Sequence, residues 1–213
     1  MNLFTTGSAV ADSGTAGNFD FAFADGAGSY ASATGGLYDF ASGYGANSFA
    51  QATGVSDFAF ADGVNSLSIA GNTGNQDIAI AGANGAALAG FEGNNDIAIT
   101  GDNGFANAIQ GNNDFASYFG NIGNVGSAFS GDGNNDFAAV FGDSSVAQAS
   151  VGNNDLAAVF GNSSNAFAGQ FEIPGSTGSN DLAAVFGDGL TANAFGDGIT
   201  TVEPASLANL FGL

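Results

Sequence analysis

The side chains able to do acid–base or metal chemistry in this chain are all carboxylates. There are 20 Asp and Glu residues and no Lys, Arg, His or Cys, giving a formal net charge of -20. No Cys or Lys nucleophile and no His or Lys base is available. Zinc and iron sites, which need His or Cys, are excluded on the same ground. Two kinds of carboxylate chemistry remain. One is a pair of acids of the glycosidase type. The other is a cluster of oxygen ligands for a hard cation such as Ca²⁺. With no basic patch, phosphate recognition and hence nucleic-acid binding are not expected, and an anionic membrane surface would repel the chain.

The acids are regularly placed. An Asp followed by a large apolar residue and Ala occurs at Asp20, Asp39, Asp57, Asp77, Asp96, Asp114, Asp136, Asp155 and Asp181. The successive intervals are 19, 18, 20, 19, 18, 22, 19 and 26 residues. Regular turns explain such acids better than a catalytic pair does, so the chain is read as a non-enzyme. Stacked carboxylates repel one another at about 5 Å, and a cation would relieve this. Asp96, Asp114, Asp136 and Asp155 are therefore the candidate Ca²⁺ ligands. Their Gly spacing nevertheless departs from the Gly-Gly-x-Gly-x-Asp pattern of calcium β-rolls. No other cofactor is expected. Scattered Thr34, Thr53 and Thr100 form no flat array for ice binding.

Four of these acids end an Asn-Asn-Asp turn, which supplies Asn94, Asn95, Asn112, Asn113, Asn134, Asn135, Asn153 and Asn154. Asn tolerates left-handed backbone and makes Asx turns. Stacked at a fixed period, these side chains are expected to form amide ladders that pair otherwise buried polar groups.

A period near 19 residues implies stacked supersecondary units. Each unit holds two alternating segments, such as Asp20 to Gly26 and Ser29 to Gly35, and each segment closes on Gly. Period-2 alternation ending in turn residues reads as two short strands per coil. The expected fold is all-β: a parallel β-solenoid or β-roll of about nine coils, with a short helical cap at the C-terminus. Residues 1–15 are read as an N-terminal cap and 16–200 as solenoid, with an insertion near 171–180 that contains Pro174. Residues 201–213 are read as a cap or docking tip, because Pro204, Leu207, Leu210 and Phe211 suit a helix.

The two strands of a coil differ. The second carries Ala on one face and a mixed, mostly polar set on the other. The first is apolar on both faces, as in Phe21-Ala22-Phe23-Ala24. A strand apolar on both faces is usually buried on both. Ala inside a narrow roll would leave Phe21, Phe40, Phe58, Ile78, Ile97, Phe115, Phe137, Leu156 and Leu182 as an outer stripe, to be covered by further copies or by envelope lipid. The alternative puts the large residues inside and Ala outside. Later coils carry Ala-Ala-Val-Phe-Gly, and one reading places that end in a lipid layer.

Segments such as Asn47-Ser48-Phe49-Ala50-Gln51-Ala52-Thr53-Gly54 and Asn65-Ser66-Leu67-Ser68-Ile69-Ala70-Gly71 resemble the head repeats of trimeric autotransporter adhesins. The basic residues, neck and coiled-coil stalk of those proteins are missing here. The blocks Gly133 to Gly142 and Gly152 to Gly161 also resemble mycobacterial Gly/Ala/Asn-rich envelope repeat proteins. These resemblances imply a homotrimeric rod in the cell envelope, at the outer membrane or cell surface. It would offer an attachment surface in the manner of an adhesin or a phage receptor. A calcium-binding roll and a phage fibre domain are the alternatives. Composition agrees with export, since the chain has few charges and no site for trypsin-like cleavage. No secretory leader is read in Met1 to Gly7. That leaves prior removal of a signal, another export route or a fragment start as explanations. No run of 18 apolar residues is present.

Overall fold

In a computed structural model the chain is a two-walled parallel β-solenoid; the structure describes residues 2–6, 8–14, 19–121, 124–169 and 178–204. The first strands are β1 (Asn2–Thr6), β2 (Val10–Asp12), β3 (Phe21–Asp25), β4 (Tyr30–Leu37), β5 (Phe40–Tyr44), β6 (Phe49–Val55) and β7 (Phe58–Asp62). There follow β8 (Leu67–Ala70), β9 (Ile78–Ala81), β10 (Ala86–Ala89), β11 (Ile97–Thr100), β12 (Phe105–Asn112), β13 (Phe115–Phe119) and β14 (Ser127–Asn134). The series ends with β15 (Phe137–Phe141), β16 (Val146–Asn153), β17 (Leu156–Phe160), β18 (Asn165–Ala168), β19 (Leu182–Phe186), β20 (Thr191–Ala194) and β21 (Thr200–Pro204). Odd-numbered strands form an 11-stranded sheet and even-numbered strands a 10-stranded sheet, each in chain order. Every pairing is parallel, and nearly all are in register across a whole coil, as in Ile78↔Ile97↔Phe115.

Alanine dominates the interior. Ala22, Ala24, Ala31, Ala33, Ala79, Ala81, Ala98 and their equivalents along the rod are all fully buried. Ala is a poor strand former, so propensity does not explain these strands. The ladder bonds each strand makes on both sides do, together with side-chain stacking along the rod. The two walls stand very close. Ser68 of β8 takes an alanine's place inside, and its hydroxyl donates to the Ala79 carbonyl of the opposite sheet at 2.6 Å. The same oxygen accepts the Phe60 N–H of that sheet at 3.2 Å. A cavity that a serine can bridge has no room for phenylalanine.

This overturns the arrangement with large side chains inside. All nine stripe residues lie on the outer face of the odd sheet, half-buried or exposed, as successive Cα partners from Phe21 to Leu182. In the Ala-Ala-Val-Phe blocks the bulky Val is the inward residue: Val140, Val159 and Val185 are fully buried, while Ala139, Ala158 and Ala184 face out. Tyr118 is the one aromatic inside among the described residues. Its ring occupies the space where side chains on Gly104 and Gly126 would lie, and its hydroxyl donates to the Asn124 carbonyl at 3.0 Å.

The coil count and two boundaries differ from expectation. The coils number about ten rather than nine, because β1 and β2 pair in parallel with β3 and β4. Residues 1–15 therefore contain a first coil rather than a separate cap. That coil lacks the Asp-apolar-Ala motif, which is why the motif does not count it. At the other end, Thr200–Pro204 is strand β21, pairing with β19, so Pro204 closes an edge strand and does not open a helix. Pro is tolerated at a sheet edge, where its missing N–H has no ladder partner to lose. The rest of the expected helical cap, 205–213, lies outside the described residues. So does most of the expected insertion, but β17 and β19 pair in register across it.

The closeness of the walls gives the first prediction. Ala98→Leu should lower stability by about 1–3 kcal/mol, as overpacking does. Ile97→Ala, one residue away on the outer face, should leave the fold of the isolated coil intact. Urea denaturation of both variants checks this; a milder effect for Ala98→Leu than for Ile97→Ala would reverse the assignment of inner and outer faces.

Candidate functional site

The nine motif aspartates form a single buried file along one corner of the roll. Eight of the nine are 0 or 1 % exposed, and Asp20 at the first motif coil is 7 % exposed. Each carboxylate holds the next coil: Oδ1 of Asp39 accepts the Asp57 N–H at 3.1 Å, and Oδ1 of Asp77 accepts the Asp96 N–H at 2.9 Å. The chain of bonds continues through Asp114, Asp136, Asp155 and Asp181 at 2.9 to 3.0 Å and ends on the Ile199 N–H. The second oxygen, Oδ2, is buried without a hydrogen-bond partner in all nine.

Local sequence explains why the file can form. The residue before each Asp is left-handed, as at Asn95, Asn113 and Asn154, each with φ 62°. Asn accepts this conformation readily. Three residues before each Asp stands a glycine, as at Gly93, Gly111 and Gly133. A Cβ on Gly111 would meet both the Gly133 carbonyl oxygen and Oδ2 of Asp114, so the glycine is required by close packing rather than by its φ. That Gly-x-x-Asp signature is present in all nine motif coils. The Asp-apolar-Ala motif includes the acid and leaves out this glycine.

The expected amide ladders are present as geometry. Asn75 donates to Asn94, Asn94 to Asn112, Asn112 to Asn134 and Asn134 to Asn153, at 2.7 to 2.9 Å. Asn113, Asn135, Asn154 and Asn180 form a longer-bonded second ladder at 3.3 Å, whereas Asn95 has no ladder bond among them. A third ladder, Asn47 to Asn65 to Asn84, runs along the opposite corner.

Burial pushes the carboxyls from Asp39 to Asp155 up from their ordinary value of 3.8, and the charge of neighbouring carboxylates adds to this at several of them. Asp57, Asp77 and Asp155 rise to about 7, Asp96 and Asp136 to about 6, and Asp114 to about 8. The backbone N–H bonds to Oδ1 pull the other way and are outweighed. A protonated Oδ2 removes the repulsion that a cation would otherwise have to screen. Asp96, Asp114, Asp136 and Asp155 do come together in the file, but each offers one oxygen already bonded and one packed against glycine. Ca²⁺ takes 6–8 oxygens, and among the described residues no three acidic groups converge on one point.

The second feature is the outer face of the odd sheet. It carries three columns of side chains. The first is the stripe itself, with Phe21, Phe40 and Phe58 stacked at 5.2 and 4.8 Å and Phe115 on Phe137 at 4.8 Å. The middle column reads Phe23, Ser42, Phe60, Ile80, Ile99, Ser117, Ala139, Ala158 and Ala184. The third contains Phe119, Phe141, Phe160 and Phe186, stacked at 5.2 to 5.7 Å and each 43 to 46 % exposed. No helix among the described residues is long and apolar enough to cross a membrane. No protein-family model, curated protein or solved structure matches the chain.

Two predictions arise from the file. An aspartate that holds its proton in the folded state and loses it at 3.8 when unfolded stabilises the fold fully at low pH. That stability is lost as pH rises through the folded value. The melting temperature should therefore be highest near pH 4 and fall up to about pH 8. Asp114→Asn should flatten this slope more than Asp62→Asn, which removes an exposed charge; equal slopes in both variants would sink the assignment. Addition of EDTA should leave the melting temperature unchanged, and a drop would show that a cation holds the file.

Proposed function

We propose that this chain is a non-catalytic, self-associating structural rod that presents a repetitive surface for attachment. The observation that carries the reading is the outer face of the odd sheet, whose first column is apolar from Phe21 to Leu182, beside a middle column broken by Ser42 and Ser117 and a third column that runs from Asp25, Tyr44 and Asp62 to Phe119, Phe141, Phe160 and Phe186. At about 4.8 Å per coil and 3.3 Å per residue, nine strands and the first two columns cover on the order of 600 Å². That is the upper end of what a monomer's largest apolar patch covers, and patches of that size often serve contact with a partner. The face is also geometrically regular, with identical spacing in every coil, which suits a partner of the same periodicity. Placement in the cell envelope or at the cell surface rests on the absence of Lys and Arg and on the resemblance to surface repeat proteins. The absence of His, Lys and Cys supports a role without catalysis. The resemblance to trimeric adhesin heads leads to an expected copy number of three.

Sedimentation equilibrium on the full chain at micromolar concentration tests the proposal. The expected mass is a multiple of 20.7 kDa that persists in EDTA. A stable species of 20.7 kDa, with no concentration dependence, would overturn it.

A further inference from the structure

We infer that the C-terminal end of the rod is a built stop, which keeps another copy from adding coils there and confines association to the sides. The stop does not depend on the self-association proposed above. It adds to that reading the direction in which an assembly cannot grow.

A solenoid that simply ends presents strand edges, and such edges are templates for pairing with another chain. Four departures from the repeat fall together on the last coil described. The first is at the Asp corner. Each Asp of the file from Asp20 accepts the N–H of the next coil on Oδ1, up to Asp181, which accepts the Ile199 N–H at 2.7 Å. Ile199 stands where the next Asp would be, because Leu182 donates its N–H to the Ile199 carbonyl as Leu156 does to that of Asp181. A further coil would find no carboxylate to hold it.

The second and third departures lie on the inward side of the wall. Thr201 and Glu203 pair in register with Ala183 and Val185, which are fully buried inward residues. Alternate residues of the even strands direct their backbone groups to the following coil, as the Asn165 and Gly169 N–H groups do. Asn193, in register with Phe167, therefore has its carbonyl on the outer edge of β20. The Thr201 hydroxyl donates to that carbonyl at 2.7 Å and occupies it. Glu203 is exposed at the end of the rod. A coil stacked on it would bury its carboxylate in the column of Val185, and the chain has no Lys, Arg or His to pair with it. Burying an unpaired charge is strongly unfavourable. The fourth departure is Pro204, in register with Phe186. In the odd sheet Leu182 donates its N–H forward, and alternate residues along the strand face the same way. Pro204 thus takes the place of a forward donor and has no N–H to give. An inward-pointing charge and a proline are both means of keeping an edge strand from pairing.

Returning the four positions to the repeat opens the end. The variant carries Ile199→Asp, Thr201→Ala, Glu203→Val and Pro204→Phe in the full chain, so residues 205–213 are common to it and the wild type. The 11 strands of the odd sheet, at about 4.8 Å each, make a rod about 50 Å long. Small-angle X-ray scattering reads length and cross-section separately. The wild-type rod should keep its length at every concentration, whatever its cross-section. The opened variant should associate end to end, in either polarity, and reach twice that length, about 100 Å or more, as concentration rises. Glu203→Val with Pro204→Phe alone is the second variant, used if circular dichroism shows that the fourfold variant has lost its β-structure; it should lengthen as well, to a smaller extent. A wild-type rod that itself lengthens with concentration overturns the stop, and so does a folded variant that keeps the wild-type length. Sideways association is read from the mass and cross-section of the wild type. A monomeric wild type whose opened variant lengthens contradicts the proposed self-association and supports the stop.

Discussion

The narrowness of the roll is the constraint on which the rest of this structure depends. Turns of a few residues bring the two sheets so close that a serine hydroxyl on one reaches the backbone of the other. Among the described residues Ala lines most of the interior, with Ser68, Thr100 and Ser130, three Val, and Tyr118 where Gly104 and Gly126 make room. A core of alanines buries little apolar surface per residue, and hydrophobic stabilisation scales with that area. The fold compensates by repetition. Each coil adds two strands of in-register ladder bonds, an Asp-to-backbone bond at one corner and amide bonds at the Asn corners.

The same constraint explains the two features of functional interest. Because the interior refuses large side chains, Phe, Ile and Leu must stand outside, where they stack along the rod and form an apolar face. Because the corner is tight and dry, burial pushes the carboxyls along its middle upward, Asp114 furthest, to about 8. In one column the repeat thus yields a hydrogen-bonded spine. In another it yields a surface that water covers poorly.

Much of this is legible in the sequence. The Asp-apolar-Ala interval sets the coil length, and alternation sets two strands per coil. The Asn-Asn-Asp turns point to left-handed corners and amide ladders. Other parts are not legible. Phe21-Ala22-Phe23-Ala24 is symmetric under a one-residue shift, and period 2 alone does not say which set faces inward. The first coil escapes a count of motifs because it has no motif Asp. Pro204 reads equally as a helix start and as the end of an edge strand. The aspartates read as exposed turn residues able to gather Ca²⁺, because nothing local in Asn-Asn-Asp shows that the next coil closes over it. The glycine three residues earlier carries that information, as it admits the neighbouring carbonyl.

The most direct test of a dry, narrow corner is a carboxyl-carbon NMR titration of the folded chain with ¹³C-labelled aspartate. A buried file predicts a group of Asp resonances that titrate between about 6 and 8, led by Asp114, and well separated from the exposed carboxylates. If every Asp in the folded chain titrates near 3.8 instead, the corner is wet, which contradicts a narrow and dry roll.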